Sequence, residues 1–238
     1  TVDGLLRAPK FGLLDYMLKG FDVNGDRDLV FIPVGINYDR VLEDRTQLLK
    51  LRPEGPRPGR WRGLVVGAEF SLRNLWLIVS GRWHRFGYAC VNFGTPLSMR
   101  AYVRERELHF PGLDETARRA EVGRFAAQLM DAIGRVIPVL PVALVAEIFA
   151  RDPQRALSGF DLKAAAHARM RELEAGGAHL YIPRHDQEYA FEVGLRMLTL
   201  RRFVLESEGL FRAAPDQLDA LRYYANSIAH LHGEAAGA

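Results

Sequence analysis

Cysteine is nearly absent. The 238-residue chain has one, Cys90, which excludes an internal disulfide and any cysteine-rich metal site. Nothing in that usage places the chain outside a reducing compartment, and Cys90, within FGYACVNFG, reads as a buried structural thiol. Lysine is also scarce. Of 32 basic residues only four are lysine, Lys10, Lys19, Lys50 and Lys163, and the other 28 are arginine. We read this as genome composition, the functional alternative being an anionic surface contacted by arginine. A large charge excess is missing too: 29 acidic residues leave a net charge of only +3, which excludes a dedicated nucleic-acid binder. No apolar run approaches the ~18 residues a transmembrane helix needs. The longest candidate, 136–146, holds Pro138 and Pro141 and reads as a core segment. No signal peptide is visible, and opening on Thr1 reads as the start of a portion of a longer protein.

What is present has an ordinary globular balance, 48% hydrophobic and 26% charged. A first helix is expected over 9–19, with Pro9 in its first turn and Gly20 ending it. The run 29–36 is apolar throughout, as in a strand buried on both faces of a parallel sheet. Pro33 within it marks a bulge, an edge or a strand end. A proline- and glycine-rich loop (LRPEGPRPGRW), a helix over 62–79 and a strand over 86–93 complete what reads as one βαβ crossover. Trp61, Trp76 and Trp83 with Arg57, Arg60 and Arg62 suggest a basic aromatic patch, although Trp76 fits a core better.

Beyond Pro96 the pattern turns helical. Asp114 caps a helix over 115–135, where Val122, Phe125, Leu129 and Ile133 recur at helical spacing. Asp161 caps another over 162–175 that stops at Gly176-Gly177; further helices cover 189–205 and the segment after Pro215. The tail HGEAAGA is expected to fray. The fold class is therefore α/β: a partial α/β layer over residues 1–112 and an all-helical region over 113–238.

Four stretches, in order, are FIPVGINYDRV, YACVNFGTPLSMRAY, IGRVIPVLPVALVA and RYYANSIAHL. Together they resemble the bacterial membrane-associated glycerol-3-phosphate acyltransferase family. They are similar, respectively, to its fourth conserved block, its VNFGEPL strand and loop, its INRVTPVTPTALVA segment and its YANSIAH helix. The opening, DGLLRAPKFG, resembles the end of the third block at Gly4, Pro9, Lys10 and Gly12, while Val2 and Leu5 stand where that family carries arginine.

The resemblance implies acyl transfer from acyl-CoA or acyl carrier protein, as co-substrate, to the 1-hydroxyl of glycerol 3-phosphate, the first step of phospholipid synthesis. It implies no cofactor and no metal. It also implies a peripheral position on the cytoplasmic face of the bacterial inner membrane. Such chemistry needs a histidine to take the hydroxyl proton and an aspartate to orient it. In the resembled family that His-x-x-x-x-Asp block precedes the point at which this chain begins, so no catalytic residue is assigned to this chain and it is expected to be inactive alone. The literal match HFPGLD, His109 to Asp114, lies after the VNFGTP strand and is judged a decoy. Arg7 and Lys10 are the phosphate candidates, flanking the third-block match. Pro33, Gly35 and Tyr38 are the substrate-binding candidates of the fourth block, which in the family lies near the acyl-chain tunnel.

Among the other histidines, His84 reads as a loop residue, His185-Asp186 as a turn, and His230 and His232 as two imidazoles without further ligands. The alternatives are a 1-acylglycerol-phosphate acyltransferase, or a non-catalytic membrane-docking or partner-binding module.

Overall fold

The computed structural model describes residues 2–41 and 87–232. The expected loop and helix over 62–79, the three tryptophans, His84 and the tail after His232 lie outside the described residues. Seven α-helices and seven strands are present among the described residues. They are α1 (Gly12–Lys19), β1 (Val30–Phe31), β2 (Val34–Tyr38), β3 (Ala89–Phe93), β4 (Leu97–Ser98), α2 (Met99–Glu105), α3 (Glu115–Val136), α4 (Pro141–Arg151), β5 (Leu157–Ser158), α5 (Gly159–Ala175), α6 (Gln187–Leu200), β6 (Val204–Ser207), β7 (Leu210–Ala213) and α7 (Leu218–Asn226).

The strand pairing corrects the parallel-sheet expectation. β2 pairs with β3 antiparallel, Val34 opposite Phe93 and Tyr38 opposite Ala89, and β1 pairs antiparallel with β4. The apolar run is not buried on both faces either. Residues 30–38 alternate, with Val30, Ile32, Val34, Ile36 and Tyr38 exposed while Pro33, Gly35 and Asn37 are buried. An uninterrupted apolar string looks doubly buried, but period-2 geometry sends alternate residues to opposite faces, and the backbone decided here. Pro33 takes the strand-end role, separating β1 from β2.

The packing centre is α4. Its sequence, PVALVAEIFAR, is apolar nearly all round, and Pro141 to Glu147 and Phe149 are all buried. It packs chiefly against α6 and α7, and then α5. A fully buried phenylalanine such as Phe149 contributes ~2–3 kcal/mol. A second cluster joins α1, α2 and α3 through Leu18, Met99, Tyr102, Val122 and Phe125. There Phe125 meets Phe31 edge-on at 5.2 Å and Tyr102 at 4.6 Å between ring centres.

Within the second cluster Glu121 is buried and accepts a 2.6 Å bond from the Tyr102 hydroxyl and two from Arg124. Burial pushes Glu121 up, but the Tyr102 and Arg124 hydrogen bonds prevail and hold it below the usual glutamate range. Burial and the same glutamate push Tyr102 up to about 12.

Residues 113–232 are not all helical. β5, β7 and β6 form a three-stranded antiparallel sheet. The helix expected over 189–205 is α6, which stops at Leu200. Arg202 then adopts φ 59°, and the chain reverses again at Glu208-Gly209, where φ is 53° and 75°. Two consecutive left-handed residues make the tight hairpin turn joining β6 to β7. A non-glycine residue in the left-handed turn hid the first break, because helix ends usually announce themselves with glycine.

Other boundaries agree with local chemistry. The Asp114 side chain accepts from Ala117 N at 2.7 Å and starts α3, and Asp186 does the same for α6. For α5 the cap is Ser158, which accepts from Asp161 N and whose hydroxyl donates to the Asp161 carboxylate, so Asp161 is not the cap. Cys90 is half-buried rather than buried, and burial pushes its thiol up. Among the described residues no helix is long and apolar enough to cross a membrane.

Candidate functional site

Four separate stretches converge on a cleft of about 400 Å³. Gly4, Leu5 and Leu6 come from the opening, Ile36, Asn37, Tyr38 and Val41 from β2 and the residues after it, Ile137 from the α3–α4 turn, and Tyr223, Tyr224 and Ser227 from the end of the chain. Its lining is mostly aliphatic and aromatic, with Asn37 and Ser227 among its polar side chains.

Asn37 links several of these segments. Burial sets it on the inner face of β2, where its Nδ2 donates to the Pro138 carbonyl at 2.9 Å and to Ser227 Oγ at 3.3 Å, while its Oδ1 accepts from Tyr38 N at 2.9 Å. One amide thus ties the strand to the α3–α4 turn and to the last helix. The Ser227 hydroxyl donates to the Tyr224 carbonyl at 2.7 Å. Tyr224 Oη accepts from Val41 N at 3.1 Å and from Arg201 at 2.7 Å. The opening stretch is pinned by Asn226, whose Nδ2 donates to the Asp3 carbonyl at 2.8 Å. Gly4 has φ 84°, and a β-carbon there would overlap the Tyr223 carbonyl, so glycine is required twice over.

Two residues on, Asp39 performs a second task. Its carboxylate accepts from Val142 N at 3.0 Å and Tyr88 N at 3.1 Å. Val142 lies in the first turn of α4, whose own N-cap, Leu140, has no side chain to offer. A residue just beyond β2 and distant in sequence therefore caps the central helix. Burial pushes Asp39 up from 3.8 to about 6, against the opposing pull of those two N–H groups.

The proposed substrate residues divide. Tyr38 lines the cleft. Gly35 faces the end of α3, where a β-carbon would overlap the Val136 carbonyl, and Pro33 packs near Gly94. Both shape the backbone behind the cleft. Arg7 and Lys10 are exposed just beyond its Gly4–Leu6 wall, Arg7 paired with Asp3. Sequence reading passed over Asn37, Asp39, Tyr224 and Ser227. The signal available was Asn37 and Asp39 at alternate positions in an apolar strand, where polar side chains on one face demand partners.

His109 and Asp114 are both exposed. The Asp114 Oδ1 is taken by the α3 cap, and the His109 ring lies against Gly112. His230 Nε2 meets the Gly134 carbonyl at 3.0 Å, and burial lowers its proton affinity. His232 reaches buried Glu147, which also pairs with Arg151 and Arg169. No group of three or more residues suited to hold a metal occurs among the described residues. The cleft is a mostly apolar trough of the size a small ligand needs.

Architecture and cleft define a mainly helical module that carries an antiparallel ribbon on one flank. A family model described as the glycerol-3-phosphate acyltransferase C-terminal region matches residues 71–236, and the chain belongs to that family. It is 33% identical over 152 residues to a glycerol-3-phosphate acyltransferase of Pseudomonas syringae pv. tomato, covering 59% of this chain and 17% of that protein. Proteins of the same name from Pseudomonas fluorescens strain SBW25 and Pseudomonas putida are 33% and 30% identical, each again with 17% of its length covered. The chain thus spans about 17% of the length of the curated relatives it matches. The cleft straddles the edge of the matched region: Ile137, Tyr223, Tyr224 and Ser227 lie within it, while residues 4–6, 36–38 and 41 precede it.

Proposed function

We propose that this chain is the C-terminal region of a glycerol-3-phosphate acyltransferase that transfers an acyl group from acyl-CoA or acyl carrier protein to the 1-hydroxyl of glycerol 3-phosphate. The observation that carries this reading is the family match over residues 71–236, whose segments meet the opening stretch and β2 in one apolar-walled cleft. In this reading the cleft supports the acyl-chain side of the site, with Tyr38 and Leu5 on its wall. Arg7 and Lys10 stand outside it, toward a phosphate. The histidine–aspartate pair is supplied by a region that the chain does not contain.

The test is acyl transfer from palmitoyl-CoA to glycerol 3-phosphate by this chain, with His109→Ala as control and circular dichroism confirming the fold. No transfer by the folded chain is expected. Robust transfer abolished in His109→Ala would move the active site to His109 and Asp114.

A peripheral membrane position has its own support. Helix α1 turns Leu13 (74% exposed), Tyr16 (78%) and Met17 outward, with Lys10 and Lys19 exposed at its flanks. In this reading the helix lies in the lipid interface on the cytoplasmic face. Sedimentation with anionic vesicles should show binding that weakens at high salt and is reduced by Leu13→Asp with Tyr16→Asp. Absence of binding at every salt concentration rejects it.

A further inference from the structure

Two histidines hold down the last described turn, residues 229–232, in opposite ways. His232 presents both ring nitrogens to oxygens. Its Nδ1 lies 2.9 Å from the Ala229 carbonyl, and its Nε2 meets the Glu147 carboxylate. The carbonyl can only accept. The carboxylate accepts from Arg151 through Oε1 and from Arg169 through Oε2, so it too acts as an acceptor on both oxygens. A neutral imidazole has one N–H and would set a lone pair against a lone pair at one of these contacts. Both are hydrogen bonds only when the ring is an imidazolium. The side chain is 28% exposed, so the ring can exchange that second proton with solvent.

His230 is the reverse. Its Nε2 meets the Gly134 carbonyl at 3.0 Å, while its Nδ1 is buried without a hydrogen-bond partner among the described residues. One proton, on Nε2, satisfies this ring, and a second would be buried with no acceptor. Burial above all, and then the neighbouring His232, hold its proton affinity down against the pull of the Gly134 carbonyl.

The groups facing His232 come from three elements. Helix α4 supplies Glu147 and Arg151, α5 supplies Arg169 with Glu172 bonded to it, and the turn supplies His230. Glu147 is 3% exposed, so water screens its charge little. Of the three basic side chains on it, His232 alone belongs to the turn. That turn continues the Tyr223–Ser227 side of the cleft through Ile228, which is fully buried and whose carbonyl accepts from Leu231 N at 3.0 Å.

We infer that residues 229–232 are a proton-operated clasp: doubly protonated His232 ties the turn to Glu147 on α4 and steadies the Tyr223–Ser227 side of the cleft, and loss of one ring proton as pH rises releases it. The sign follows from the hydrogen bonds. The bridge is complete while the ring holds two protons and is lost when it holds one. His230 responds in the opposite sense, and Asp39 loses its own contribution by about pH 6, so the response of His232 is isolated by comparison with a variant at each pH.

The test follows the imidazole nitrogens of the isotope-labelled chain by NMR between about pH 5 and about pH 8, the range in which histidine changes charge. At the lower pH His232 should show two like nitrogens, the signature of an imidazolium, and at the higher pH two widely split ones. Amide hydrogen exchange then reads the clasp. Protection over residues 223–232, relative to α6, should fall several-fold from the lower to the higher pH in the wild type. In His232→Gln it should already be low at the lower pH and change little.

A His232 ring that is neutral at about pH 5 overturns the inference. An imidazolium whose loss leaves protection unchanged, or one that persists across the whole range, overturns it equally. An equal fall in protection in His232→Gln would assign the response to His230 or Asp39 and overturn it as well. The ring signals are assigned through the wild-type backbone, so that reading stands even where the variant fails to fold.

Discussion

Asp39 shows how much one side chain can connect. It caps α4 from just past the end of β2, holds Tyr88 and sits in a nearly dry site. Replacing it with alanine leaves two buried N–H groups without an acceptor, a loss of about 2–4 kcal/mol where the acid is protonated. The pH dependence follows from the raised affinity. The folded state holds the proton up to about pH 6, whereas the unfolded chain releases it near 3.8. The stabilisation is full below 3.8, fades as pH rises between those values and is gone above 6. The stability gap between wild type and Asp39→Ala should therefore shrink by about 2 kcal/mol between pH 4.5 and 7.5, measured by urea unfolding. A gap that widened over that range would mean that the carboxylate is ionised throughout. At Glu121, Tyr102→Phe removes a charge-assisted bond to a buried carboxylate and should lower stability by about 1–2 kcal/mol in the same assay.

At the scale of elements, two glycines and a serine set positions that larger or blunter residues would spoil. Gly35→Ala drives a methyl into the Val136 carbonyl and should part β2 from the end of α3, costing about 1–3 kcal/mol with a broadened melting transition. Gly194→Ala does the same between α6 and the Pro141 carbonyl at the start of α4. Ser158→Ala removes the α5 cap at a cost of about 1 kcal/mol, whereas Asp161→Ala should cost less, which thermal melts of the pair will rank.

Helices were largely legible in the sequence because caps and periodicity are local: Asp114, Gly20 and Gly176 all stand at the ends of their helices. The strands were less so. The ribbon's antiparallel sense depends on partners far apart in sequence, and the β6–β7 hairpin was hidden because Val204 and Leu205 continue the apolar rhythm of α6. The cleft was half legible. Tyr38 and the C-terminal stretch stood out, but Asn37's partners, Pro138 and Ser227, are 101 and 190 residues away, and no local pattern announces them.

For the whole molecule, the distribution of its cores matters most. One cluster surrounds α4 and the other joins α1, α2 and α3, while the ribbon's outer face belongs to neither. A protein built this way should be cooperative in its helical body and adhesive on one flank. Its soluble yield should rise in a Val34→Lys, Phe93→Asp variant while its melting temperature stays within a few degrees of wild type. A large fall in melting temperature would show instead that the flank is part of the folded core.

The seam between residues 3–4 and 223–226 sets an order in time. Asn226 grips the Asp3 carbonyl across 223 residues of sequence, and Gly4 fits against Tyr223. During translation the stretch carrying Asp3 and Gly4 emerges well before Tyr223 and Asn226 and waits for them. The cleft lacks its Tyr223–Ser227 side until α7 leaves the ribosome. A chain stalled or clipped before Tyr223 can own every other described helix and still lack one side of the cleft.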